Sequence, residues 1–186
     1  MTSHQFTLIV EGADLQDEAV LDALFEAGCD DATVGRIGPT QYLDFDREAE
    51  TLADAVIEAT EAIESAIDGA RVVHLDPDEL VSMSEIAERI SRTRESVRLL
   101  IKGDRGPGGF PAPATHLKSR NPLWAWTDVV TWLAATDPDG AQRESFVGRD
   151  AKTAPFVAAF NATLRIRAVN KQLPASERKR LQRLAR

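Results

Sequence analysis

The sequence predicts an α+β protein: a β-α-β-β-α-β unit, then a compact helical unit bearing a hairpin, then a helical tail. Three observations predict it. Over residues 5–76, apolar residues switch between strand-like runs and helical spacing. Asp76-Pro77-Asp78 then interrupts the chain. The charge reverses at the same place: residues 1–76 carry 18 acids and 3 bases, net −15, whereas residues 77–186 carry 12 acids and 19 bases, net +7. An acidic part joined to a basic part implies two modules with different partners, and phosphates repel the first and attract the second. The expected division is 1–76, 77–136 and 137–186.

Taken in order, Phe6–Val10 reads as a strand rich in β-branched residues, ended by Gly12. Asp14 is the expected N-cap of a helix whose apolar positions Val20, Ala23, Leu24 and Ala27 recur at helical spacing, closed by Gly28. Ala32–Arg36 and Gln41–Phe45 read as two strands joined by a turn at Gly38-Pro39-Thr40. Thr51 or a nearby residue opens a second helix with Leu52, Val56, Ala59, Ile63 and Ile67 in line, and Asp68-Gly69 ends it. Arg71–Leu75 is the last strand. This order resembles the split βαβ arrangement of ferredoxin-like domains and, among them, the ACT-type regulatory domains. The resemblance implies either a small-molecule effector or a protein partner at this domain, and the residues leave the choice open. Acylphosphatases share that fold and use an Arg and an Asn; residues 1–76 contain no Asn.

Met83–Lys102 reads MSEIAERISRTRESVRLLIK. Ser84 is the expected cap of a first helix with Ile86, Ala87 and Ile90 inward, Ser91-Arg92 is the turn, and Thr93 caps a second helix with Val97, Leu100 and Ile101 inward. Two short helices locked through small Ala87 form a helix-turn-helix layout. The usual turn glycine is replaced by Ser91, and the usual apolar residue after it by Arg92. The glycine-rich stretch Gly103–Gly109 leads to a hairpin with Lys118-Ser119-Arg120 at its tip; Pro122–Trp126 returns as a strand, and Thr127 caps a third helix, Asp128–Ala135. No Gly-Lys-Ser/Thr follows the glycines, so they are not read as a phosphate-binding loop. Trp124, Trp126 and Trp132 are expected to pack the hairpin onto that helix, against the alternative of a stacking platform for single-stranded bases.

The order GPGGFPAP…NPLWAWTDVVTWL after these two helices closely resembles winged helix-turn-helix modules of the MerR-like, excisionase-like and AlpA-like class, over residues 79–135. The resemblance implies double-stranded DNA as partner. Arg94, Glu95, Ser96 and Arg98 would reach base edges in the major groove, where arginine reads guanine and Glu95 accepts from cytosine N4. Thr93 would meet a phosphate at the helix start, and Arg92 and Lys102 are counted among the DNA-binding residues. Lys118, Ser119 and Arg120 would hold the backbone or a minor groove. A bacterial-type transcriptional regulator follows, acting as a homodimer and not as an enzyme. The alternative is an interaction module, such as an antitoxin or a phage-accessory protein, whose acidic domain covers a basic partner.

The tail is expected to hold a helix, Ala154–Leu173, with Phe156, Val157, Phe160, Leu164 and Val169 as a stripe that either folds back on its own chain or pairs with a second copy, pairing being the preferred reading, then a short helix capped by Ser176 and carrying Arg178-Lys179-Arg180. No cofactor or metal is expected: His4, His74, His116 and the single Cys29 offer no ligand spacing. Asp30 and Asp31 beside Cys29 disfavour a thiolate, and Asp44 and Asp46 alternate onto one face as a solvated edge. With no apolar run long enough to span a bilayer and no signal-peptide layout, the expected location is the cytoplasm.

Overall fold

The structure, a computed structural model, describes residues 1–136 and 146–184. It is mixed α+β, with one four-stranded antiparallel sheet, one two-stranded sheet and seven helices among the described residues. The chain divides into two compact units, the first formed by Met1–Pro77 with Ala159–Arg186 and the second by Asp78–Ala158. The Asp137-Pro138-Asp139-Gly140 stretch read as a linker lies outside the described residues.

In the first unit the elements are β1 (Thr2–Glu11), α1 (Glu18–Glu26), β2 (Ala32–Ile37), β3 (Thr40–Ala49), α2 (Leu52–Ala66) and β4 (Arg71–Asp76), and the sheet order is β2-β3-β1-β4. Strands run further than the apolar runs suggest, because pairing of β1 with β3 continues from Val10 opposite Gln41 out to Thr2 opposite Ala49. Helix α2 packs on β1, β3 and β4, with α1 beside it. Leu8, Val10, Leu43, Val56, Ile63 and Val72 are fully buried there, and Phe6 stacks on Phe45 at 5.0 Å. Gly12 is needed for close approach: a Cβ on it would lie on the carbonyl oxygen of Gly69. Thr51 caps α2 as expected, but the cap of α1 is Asp17, whose carboxylate accepts from the Ala19 amide. Asp14 instead is ion-paired with Arg36 and accepts from the Gln16 amide at 3.1 Å.

Pairing of β1 with β4 shifts register between Ile9 and Val10, a bulge. The outer edge of β4 is closed by side chains from α6 (Phe146–Asn170). Buried Asn161 accepts from the Leu75 amide and donates to the Leu75 carbonyl, each at 2.8 Å. Glu64 accepts from the Val72 amide at 2.9 Å, and Arg167 donates to the Val72 carbonyl while pairing with Glu64 at 2.8 Å. These bonds satisfy backbone groups that an edge strand leaves open. Helix α6 begins before the expected Ala154 and runs through Pro155, which omits one amide donor without ending the helix. Of the stripe expected to pair with a second copy, Leu164 is buried in its own unit and Val169 is exposed. Helix α7 (Ala175–Leu184) starts one residue ahead of the expected Ser176 cap and has no buried residue.

The second unit holds β5 (Leu80–Val81), α3 (Met83–Arg89), α4 (Arg94–Lys102), β6 (Trp124–Ala125) and α5 (Trp126–Thr136). Val81, Ile86, Ala87, Val97, Trp124, Trp126, Val129 and Val130 are its buried cluster, with Met83, Ile90, Ile101, Phe110 and Leu133 against it. Strand β6 pairs with β5, and the Trp126 amide bonds to the Glu79 carbonyl. Helix α5 therefore starts at Trp126, and Thr127 lies in its first turn instead of capping it.

Candidate nucleic-acid interface

The two helices expected to meet DNA are set by local bonds. Ser82 caps α3, not Ser84: only Ser82 stands three residues before a glutamate, and the two residues form a capping box. The Ser82 amide donates to Glu85 at 2.7 Å and the Glu85 amide to the Ser82 hydroxyl at 3.3 Å. Hydrogen bonds from Ser82 hold the Glu85 carboxyl below its ordinary pKa, and Arg89 adds to this. At the other end of α3, Ser91 takes the left-handed conformation with φ 52°. Its amide bonds to the Glu88 carbonyl and the Arg92 amide to the Ala87 carbonyl at 2.8 Å, the closure that glycine usually makes. The turn thus forms without the usual glycine.

Thr93 caps α4, accepting from the Ser96 amide at 3.2 Å. Val97 and Leu100 are buried, while Arg92, Thr93, Arg94, Glu95 and Lys102 are exposed and Ser96 and Arg98 are half-buried. Glu95 and Arg98 do not stand free as separate base readers. The Arg98 guanidinium grips Glu95 with two bonds of 2.7 and 2.5 Å. The pair lowers the Glu95 pKa and raises that of Arg98, and both groups are solvated, so little free energy is needed to part them.

After α4 the chain crosses Gly103, Gly106, Gly108 and Gly109, all at positive φ. The hairpin that follows is shorter than expected. Its arms pair where Thr115 faces Leu123, with an amide–carbonyl bond of 3.2 Å in each direction, and the Ala114 amide adds a 2.8 Å bond to the same Leu123 carbonyl. Pro111, Pro113 and Pro122 bring no amide donors, so the ladder stops there, and the returning strand shrinks to Trp124–Ala125. Lys118, Ser119 and Arg120 are exposed at the tip. The tryptophans are used in packing: Trp124 donates to the Pro111 carbonyl, Trp126 to Asp150 and Trp132 to the Gly108 carbonyl, with Phe110 edge-on to Trp132 at 5.0 Å.

All ten expected contact residues therefore belong to the second unit, seven from the turn through α4 and three at the hairpin tip. The charge that was to draw them to DNA is placed otherwise. Residues 78–158 carry 11 acids and 11 bases, and the excess of +7 resides in residues 159–186, within the acidic unit. Inside the second unit the charge is segregated: residues 89–120 hold 8 bases and 2 acids.

In the first unit, Asp44 and Asp46 are exposed side by side on β3, bonded to the hydroxyls of Thr7 and Ser3 and to Gln5. Among the described residues no group of three or more His, Cys, Asp or Glu is suited to a metal ion, and no helix is long and apolar enough to cross a membrane. Cys29 is buried, and burial pushes its thiol pKa up, opposed by Arg47. Arg47 is the residue the sequence reading missed here. It donates to Asp31 at 2.7 Å and to the Gly28 carbonyl at 2.6 Å while lying over the Phe45 ring. Its signal was an arginine at an inward position of a strand. No protein-family model matches the chain, and neither does any curated protein or solved structure.

Proposed function

We propose that this protein is a sequence-specific double-stranded DNA-binding regulator of bacterial type, in which the second unit is a winged helix-turn-helix and the first a ferredoxin-like domain. The observation that carries the reading is the segregated charge of the second unit. Eight cations against two acids between Arg89 and Arg120 accompany an exposed helix start and a solvent-exposed hairpin tip, in a unit with no net charge. Such a run of cations draws the unit to phosphate through that stretch of the chain. The amide end of α4, capped by Thr93, adds a phosphate contact. The strand order β2-β3-β1-β4 with two helices supports the ferredoxin-like assignment.

Selection from random duplex DNA with the full chain tests the reading. Enrichment of a defined site is the expected result. A second reading, an interaction module that covers a basic partner, is favoured by one observation: Asp44 and Asp46 present an acidic strand face bonded only to neutral side chains. Absence of enrichment, together with stoichiometric binding of a purified basic protein, decides for that module.

A further inference from the structure

We infer that Leu117 is an apolar wedge that enters a base step of bound duplex DNA and bends it; this rests on the DNA-binding reading above. Leu117 is 69% exposed, and among the described residues of the second unit it is the only exposed large hydrophobic. Scattered exposed leucines are ordinary on protein surfaces. This one is set apart by its place. A turn closed by a 2.8 Å bond from the Ser119 amide to the His116 carbonyl has Leu117 and Lys118 as its two central residues. His116 takes a left-handed φ of 56°, a conformation uncommon outside glycine. The Asn121 amide bonds to the Ser119 hydroxyl at 3.0 Å, fixing the chain beyond the turn. Thr115 and Leu123 clamp the base of the hairpin.

The surroundings of this leucine are cationic. Lys118 and Arg120 are exposed beside it, and no acid lies between Asp104 and Asp128. A loop with a positive rim and a branched apolar tip matches a groove with phosphate walls and an apolar stack of bases at its floor. Lysine and arginine hold the two walls, and an aliphatic side chain that partly unstacks one step kinks the duplex by roughly 20–90°. The cost of unstacking depends on the step, so Leu117 confers preference for a flexible pyrimidine–purine step without a hydrogen bond to any base.

The experiment uses the full chain and a 30-base-pair duplex recovered by the selection above, labelled at both ends for energy transfer. Wild type should shorten the end-to-end distance on binding. Leu117→Ala, a substitution at an exposed position, should bind about tenfold more weakly and leave the bound duplex nearly straight, and Leu117→Met should restore the bend. Lys118→Ala should weaken binding while keeping the bend of the complexes that form. Wild-type bending by Leu117→Ala complexes, or an unbent duplex with wild type, overturns the wedge and leaves DNA binding standing. A full chain that retains no duplex overturns both. Binding of wild type to vesicles of anionic lipid in preference to duplex, lost in Leu117→Ala, assigns the tip to a membrane surface and also overturns it.

Discussion

Ser91 holds the turn between α3 and α4 in a conformation that costs a non-glycine residue about 1–2 kcal/mol. Ser91→Gly relieves that strain and gives up some chain entropy, so a net gain of about 0.5–1 kcal/mol is expected from urea unfolding. An unchanged midpoint shows that the turn is not held as described. The capping box at the other end of α3 gives a second test. Ser82→Ala removes the hydroxyl that receives the Glu85 amide and should cost roughly 1 kcal/mol. The pH dependence has a definite sign. The Glu85 pKa is lowered in the folded state, so its contribution is full above the ordinary glutamate range and fades as pH falls below it. Thermal melts between pH 3 and 7 should show the Ser82→Ala deficit shrinking toward acid. A constant deficit would mean that Glu85 takes no part in the cap. The two positions differ in how much local sequence tells. The S-x-x-E spacing that starts at Ser82 marks the cap, whereas Ser84 has no glutamate three residues on. Whether Ser91 would accept a left-handed backbone depends on the helices that it joins, and no single residue type states that.

At the scale of elements, the proposed DNA binding divides the work of recognition between α4 and the hairpin tip. Arg94→Ala and Arg98→Ala should each weaken specific binding by roughly 1–3 kcal/mol, and relax the base preference at one position. Lys118→Ala and Arg120→Ala should weaken all sequences alike and flatten the salt dependence, because the contacts proposed for them are to phosphates. Gel-shift titrations at several salt concentrations separate the classes, and four wild-type results would remove α4 from the interface. Helix α6 makes a different prediction. Asn161→Leu strips both bonds from Leu75 and should cost about 1–3 kcal/mol by leaving buried edge groups unpaired, despite the gain in apolar volume. Calorimetry of that variant reports it. An asparagine one turn before Leu164 on an apolar stripe is legible as a buried polar group that needs partners. Its partners are not legible, because they lie 86 residues away in the chain. The same distance explains why the stripe read as free for a second copy: helical spacing gives a face and says nothing of what covers it. The short hairpin was legible in its prolines, which cannot extend a ladder, while the pairing of β6 with β5 joins residues some forty positions apart.

For the whole molecule, a single helix-turn-helix covers few base pairs, so we expect two copies on DNA with half-sites about one helical turn apart, or a multiple of that. Light scattering of the full chain with its selected duplex should give two protomers per site. A single protomer on an asymmetric site removes the expectation. The first unit carries a net −8, the acids of residues 1–76 set against the bases of 159–186. Pairing that brings two such units together should strengthen as salt screens them. The closure of β4 by α6 has a further consequence, in time. Asn161 and Arg167 follow the strand residues they cap by 86 and 95 positions. At about 5–20 residues per second, roughly 5–20 s separate the synthesis of β4 from that of its cap. All of residues 78–158, the second unit, are made in that interval. The unit that begins second is the first to have every residue it needs. The nascent first unit waits with both β2 and β4 as open edges, and this is the period in which a ribosome-bound chaperone has a strand to protect.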